Sequence, residues 1–195
     1  FSFLIIISLL LTAVLYIFGE RLLMVFGASE NTIGYAVDYM NIYILGTIFV
    51  QLALGMNMFI TCQGFTKISM LSVIIGAVLN IILDPVFIFL FDMGVKGAAL
   101  ATIISQAVSA VWVVGFLISK RSGIRLKKEN LRIKSSLLLP CLALGISPFI
   151  MQSTESIINI CFNASLLKYG DDIAVGAMTV LSTIMQFSML PLQGM

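Results

Sequence analysis

Histidine is absent from this 195-residue chain, and charge is scarce: Asp, Glu, Lys and Arg together supply 10% of it. Without histidine, the commonest proton shuttle and metal ligand at physiological pH is missing. Soluble domains carry about 25% charged residues. A tenth, beside 60% hydrophobic residues and a mean hydropathy of +1.12, describes an integral membrane chain. Cysteine is rare too. Cys62, Cys141 and Cys161 lie in or beside apolar runs, are odd in number and lack the CxxC spacing of a zinc or redox site. They read as small packing residues. A membrane enzyme would want a His, Cys or Asp cluster facing one aqueous side, and the sequence offers none.

What remains is apolar sequence in six stretches, each near the ~20 residues that a spanning helix needs. The first covers residues 1–18, and Gly19–Gly27 reads as a short amphipathic piece lying at the interface. The others fall at about 34–62, 67–91, 95–119, 137–167 and 173–195, with Pro140 and Pro148 interrupting the fifth. Residues 1–18 lack the basic start and cleavage site of a signal peptide. Both ends lie inside apolar runs, as expected of a piece of a longer chain.

The third stretch, KISMLSVIIGAVLNIILDPVFIFLF, holds a carboxylate at Asp84. An isolated charge at that depth costs about 2.5–3.5 kcal/mol on insertion scales. Asn80 stands four residues earlier and shares its helical face. Pro85 follows at once; its missing N–H frees a carbonyl and invites a kink. One reading is a structural hydrogen-bond network between helices; the other is an intramembrane ion or proton site.

Residues 120–134, KRSGIRLKKENLRIK, hold seven of the eleven basic residues. The segment is short and lacks interleaved aromatics, so it does not read as a nucleic-acid patch. By the positive-inside rule it is a cytoplasmic connector. The 63–67 turn then lies inside as well, and the loops at 28–33, 92–96 and 168–172 lie outside. The connector also divides the chain into blocks 1–119 and 137–195, joined by 120–136.

Depth follows from 1.5 Å of rise per residue. Tyr39 comes out about 8 Å from the outer end of its helix, Asp84 and Thr102 about 10 Å, and Asn80 and Gln106 about 16 Å. Three helices therefore place hydrogen-bonding groups in one layer, with a second layer beneath. Ionised, such a carboxylate binds a monovalent cation with amide or carbonyl oxygens completing the shell. It can also take up and release a proton. Glu155, with Gln152 and Asn159 on its face, comes out near mid-bilayer, either as an interhelical structural group or as a second ion or substrate site. Methionine and phenylalanine through the spans suit packing, and an adaptable apolar cavity uses the same types.

Four stretches in order, GASENT…YAVDYMNIY…G, GMNMFITCQGFTKISM, NIILDPVFIF and GVKGAALATIISQ, resemble the multidrug and toxic compound extrusion (MATE) transporters. The resemblance runs over nearly the whole chain. It implies an all-α polytopic transporter of two six-helix lobes, with this chain matching about the third to eighth helices. The lobes would be represented by 1–119 and 137–195. A cation site in the N-terminal lobe is implied at Tyr39, Asn80, Asp84 and Thr102, with an acid contributed from a first helix outside this sequence. Asn57 matches a cavity position, and Glu155 stands in for a C-lobe carboxylate, offset by about one residue from the pattern.

The function so implied is export of amphipathic cationic organic compounds in exchange for Na⁺ or H⁺, by alternating access of a cell-membrane monomer with no further cofactor. A lipid-linked oligosaccharide flippase of the same superfamily is the rival. It would line its cavity with Arg and Lys, and the spans hold no buried basic residue.

Overall fold

The computed structural model describes residues 1–26, 28, 32–126, 135–170 and 172–193. Every regular element among them is helical: α1 (Ser2–Val25), α2 (Ile33–Leu45), α3 (Thr47–Cys62), α4 (Thr66–Pro85) with a π-helical turn (Val86–Leu90), α5 (Gly94–Ile118), α6 (Ser135–Tyr169) and α7 (Asp172–Gln193). The loops at 28–33 and 168–172 and the connector at 120–134 are described in part, since residues 29–31, 127–134 and 171 lie outside the described residues.

Four helical segments are long and apolar enough to cross a membrane: Ser2–Val25, Thr66–Leu90, Gly94–Ile118 and Leu138–Leu166. Ile33–Leu45 and Thr47–Cys62 make a fifth span if taken together, bent by 60°. The sixth expected stretch is the difference. The apolar part of α7 among the described residues, Ile173–Ser188, is shorter than a span requires. The surface is inside-out relative to a soluble protein, with Ile17, Phe89 and Leu144 each more than two thirds exposed. Lipid is the solvent that such a surface fits.

Three local expectations are corrected. Gly19–Gly27 is not a separate interfacial piece, because α1 continues through Gly19 and Glu20 to Val25. Gly19 is buried against Met40, where a Cβ would collide with the methionine tip, so this glycine serves packing rather than a break. Residues 34–62 are not one straight helix. Gly46 N–H bonds back to Tyr43 O at 2.9 Å, a tightened turn between α2 and α3. The space a Cβ would need there is filled by Ile103 of α5. Lastly, α6 runs on through Pro140 and Pro148, as membrane helices often do with proline.

Pro85 closes α4, and the chain widens into a π-helical turn in which Phe91 N bonds to Val86 O, five residues back, at 3.0 Å. Asp92 (φ 52°) and Gly94 (φ 54°) then reverse the chain into α5.

By its internal contacts the chain forms two units. The first comprises Phe1–Gly19 and Gly34–Pro140. Its centre is α5, which packs on α3 and α4 through buried small residues: Gly97, Ala99, Ala101, Ser105, Ser109 and Ala110. Small side chains let backbones approach closely where no hydrophobic effect drives helices together. At Gly97 an added Cβ would stand 2.7 Å from Phe87 O, and at Gly76 it would meet Ser109 Oγ. Toward the far end of the same helices, Met56, Ile60, Val113 and Leu117 form an apolar cluster. The second unit comprises Glu20–Ile33 and Cys141–Met195. Within it Asn163 Nδ2 donates to Phe26 O at 3.3 Å.

Candidate ion and substrate site

Helix α4 sets Asn80 and Asp84 one turn apart, and the expected pairing forms. Asn80 Nδ2 donates to Asp84 Oδ1 at 3.2 Å. The same nitrogen reaches Thr102 Oγ1 on α5 at 3.5 Å. Thr102 spends its own hydroxyl proton on Ala98 O at 2.9 Å, so its oxygen is left to accept. Both amide hydrogens of Asn80 are thereby engaged, with Asp84 Oδ1 and Thr102 Oγ1 accepting. The second Asp84 oxygen and Asn80 Oδ1 have no partner among the described residues. The Asn80 amide nitrogen thus sits between a carboxylate oxygen of α4 and a hydroxyl oxygen of α5, the oxygens for which a hard cation, or a proton on Asp84, would compete with it.

Beside this cluster lies a cavity of about 190 Å³ lined by α3, α4 and α5. Asn57, Asn80, Thr102 and Gln106, four of the amide or hydroxyl positions read from sequence, border it. Three serines that sequence reasoning passed over, Ser72, Ser105 and Ser109, border it too. Ser72 Oγ donates to Asn57 Oδ1 at 3.1 Å and Asn57 Nδ2 donates to Ser69 O at 3.4 Å. Ser109 Oγ donates to Ser72 O at 2.9 Å, tying α5 to α4. The signal was available as Ser105 and Ser109, spaced i,i+4 on α5, facing Ser72 and Gly76. Among the described residues, no Lys or Arg lines this cavity.

Tyr39 stands apart from the bonded cluster. Its ring stacks on Tyr43 with centroids 5.6 Å apart, and among the described residues it makes no hydrogen bond to Asp84. Its neighbour Asp38 pairs instead with Lys96 at 3.3 Å, joining α2 to the start of α5 across a half-exposed surface. In the second unit Gln152 Nε2 donates to Glu155 Oε2 at 3.0 Å. Asn159 adds no bond to that pair among the described residues.

The chain is similar to known membrane transporters in sequence and in fold. The family model MatE matches residues 1–86. The multidrug export protein MepA of Staphylococcus saprophyticus subsp. saprophyticus is 29% identical over 176 residues, 90% of this chain and 39% of its own. A solved chain described as protein A superposes with a TM-score of 0.91 at 35% identity, over 99% of this chain and 43% of its own. The inward-facing structure of a multidrug resistance MATE family transporter of the MOP superfamily superposes with a TM-score of 0.86 over 97% of this chain and 43% of its own. At 22% identity that likeness speaks for the fold. The chain spans about two fifths of the length of these proteins.

Proposed function

We propose that this chain, which belongs to the MATE family of multi-pass membrane transporters, is part of a secondary antiporter. It would export amphipathic cationic organic compounds in exchange for Na⁺ or H⁺, as a monomer. The observation carrying this reading is the Asp84–Asn80–Thr102 cluster, a carboxylate held in a membrane span at the side of a polar cavity. A coupling ion bound by Asp84 neutralises the charge that Asn80 now holds. The α4–α5 link and the π-helical turn beyond Pro85 then rearrange, and two lobes, 1–119 and 137–195 joined by 120–136, exchange access. The MepA relatives are named for multidrug export, and a cavity mixing amide and hydroxyl groups with Leu54 and Val73 suits amphipathic guests. Tyr39 would join the ion site from α2, and Gln152 with Glu155 would form a second one. A flippase for lipid-linked oligosaccharides is disfavoured, because the cavity holds no cationic group to meet a pyrophosphate.

Dye efflux from cells expressing the full-length protein, with and without a Na⁺ gradient, tests this in wild type and in Asp84→Asn. Efflux lost in the variant and without Na⁺ makes Asp84 the sodium-coupling residue. Efflux that ignores Na⁺, follows pH and still needs Asp84 makes it the proton carrier. Unchanged ion-coupled efflux in Asp84→Asn removes the reading.

A further inference from the structure

A second, larger recess lies away from the polar cavity, at the connector end of α4 and α5. About 770 Å³ in volume, it is walled by Ile68, Val108, Val111, Trp112, Gly115 and Phe116, and Lys120 and Arg121 stand at its end. Three features make it more than bare apolar surface. Its walls belong to two helices long and apolar enough to cross a membrane, so its length suits an acyl chain. The backbone that carries its cations is folded in place: the Arg121 backbone N–H donates to Ser119 Oγ at 3.3 Å, and Arg125 Nε donates to Ser119 O at 3.2 Å. Ser122 Oγ and Ile124 N both donate to Gln63 Oε1 at 3.0 Å, which folds the start of the connector against the turn between α3 and α4. Finally, the charge there has one sign. Residues 63–70 and 112–126 include Lys67, Lys120, Arg121 and Arg125 and no carboxylate.

We infer that this groove holds an anionic phospholipid from the cytoplasmic leaflet, its acyl chain against Trp112 and Phe116 and its phosphate between Lys120 and Arg121. Apolar wall and paired cations match the two halves of such a lipid, and basic recesses at the cytoplasmic ends of membrane helices suit anionic headgroups. Gly115 contributes by omission, since no atom lies within 4 Å of where its Cβ would be. The inference stands on the membrane placement of the helices and does not depend on the antiport reading.

Trp112, the one tryptophan among these 195 residues, is a built-in reporter. The full-length protein is reconstituted in phosphatidylcholine vesicles doped with phosphatidylglycerol or phosphatidylcholine brominated on the acyl chain. A Trp112→Phe variant defines the signal that belongs to this residue. Brominated phosphatidylglycerol is expected to quench Trp112 at a mole fraction at least tenfold lower than brominated phosphatidylcholine. Lys120→Gln and Arg121→Gln should each reduce that preference about fivefold, while Lys120→Arg should keep it. Equal quenching by both lipids would mean unselective annular contact and overturn the proposal. So would an absence of quenching, which would show the groove covered by protein.

Discussion

At Asn80 one side chain joins three things: the carboxylate of Asp84, the hydroxyl of Thr102 and the wall of the polar cavity. A hydrogen bond to a charged group contributes about 1.5–3 kcal/mol. Asn80→Ala is therefore expected to change the half-saturating concentration of the coupling ion about 10- to 100-fold in an efflux assay. Thr102→Val should cost less, because its contact with Asn80 is long, at 3.5 Å. Tyr39→Phe should cost least, since its hydroxyl makes no bond to Asp84. A Tyr39 effect as large as that of Asn80 would mean that α2 closes on Asp84 during the cycle. The sequence shows why these outcomes differ. The Asn80–Asp84 pair was legible from i,i+4 spacing alone, whereas depth counted along two helices put Thr102 in the layer of Asp84, and its contact is with Asn80 one turn away. Depth places a residue in a layer but leaves its azimuth open, which is how Tyr39 could share the layer of Asp84 and still face Tyr43.

Among elements, the contacts that bend and align helices were the hardest to read, because they are written in the partner helix. Nothing local at Gly46 announces a 60° bend; Ile103, more than fifty residues later, occupies the space. Gly19 carried the opposite error, a glycine read as a break that is in fact a seat for Met40. The close packing of α5 was legible from its small residues, and it can be graded. Gly97→Ala should lower the melting temperature in detergent most, because its Cβ would press on the Phe87 backbone at 2.7–2.8 Å, which cannot swing aside. Overpacking of this kind costs about 1–3 kcal/mol. Gly76→Ala should cost less, since Ser109 can rotate away at the loss of its bond to Ser72 O. Gly115→Ala meets nothing within 4 Å and should be neutral or stabilising, given the helix preference of alanine by about 0.5–1 kcal/mol. Any other order among the three melting temperatures would contradict the packing described.

For the whole molecule, orientation is argued from charge placement rather than from packing, so the sequence predicts it before any helix is located. Lys67, Lys120, Arg121 and Arg125 gather at one end of α4 and α5, whereas Asp92 sits in the loop at the other. Moving basic residues across a bilayer is costly, and cells leave them on the cytoplasmic side. The described helices keep this alternation: α4 begins at Thr66 beside Lys67, and α5 ends at Ile118 just before Lys120. A cysteine-free version of the full-length protein, with Cys62, Cys141 and Cys161 replaced, allows each end to be probed with a membrane-impermeant thiol reagent. Met93→Cys is expected to label in intact cells. Lys67→Cys and Lys120→Cys are expected to label only after the membrane is opened. Met93 is the better outer probe than Asp92, whose φ of 52° would strain a cysteine backbone. Labelling of Lys120→Cys in intact cells would invert the molecule. The Asp84 layer would then lie nearer the cytoplasm, and the lipid groove would face the outer leaflet.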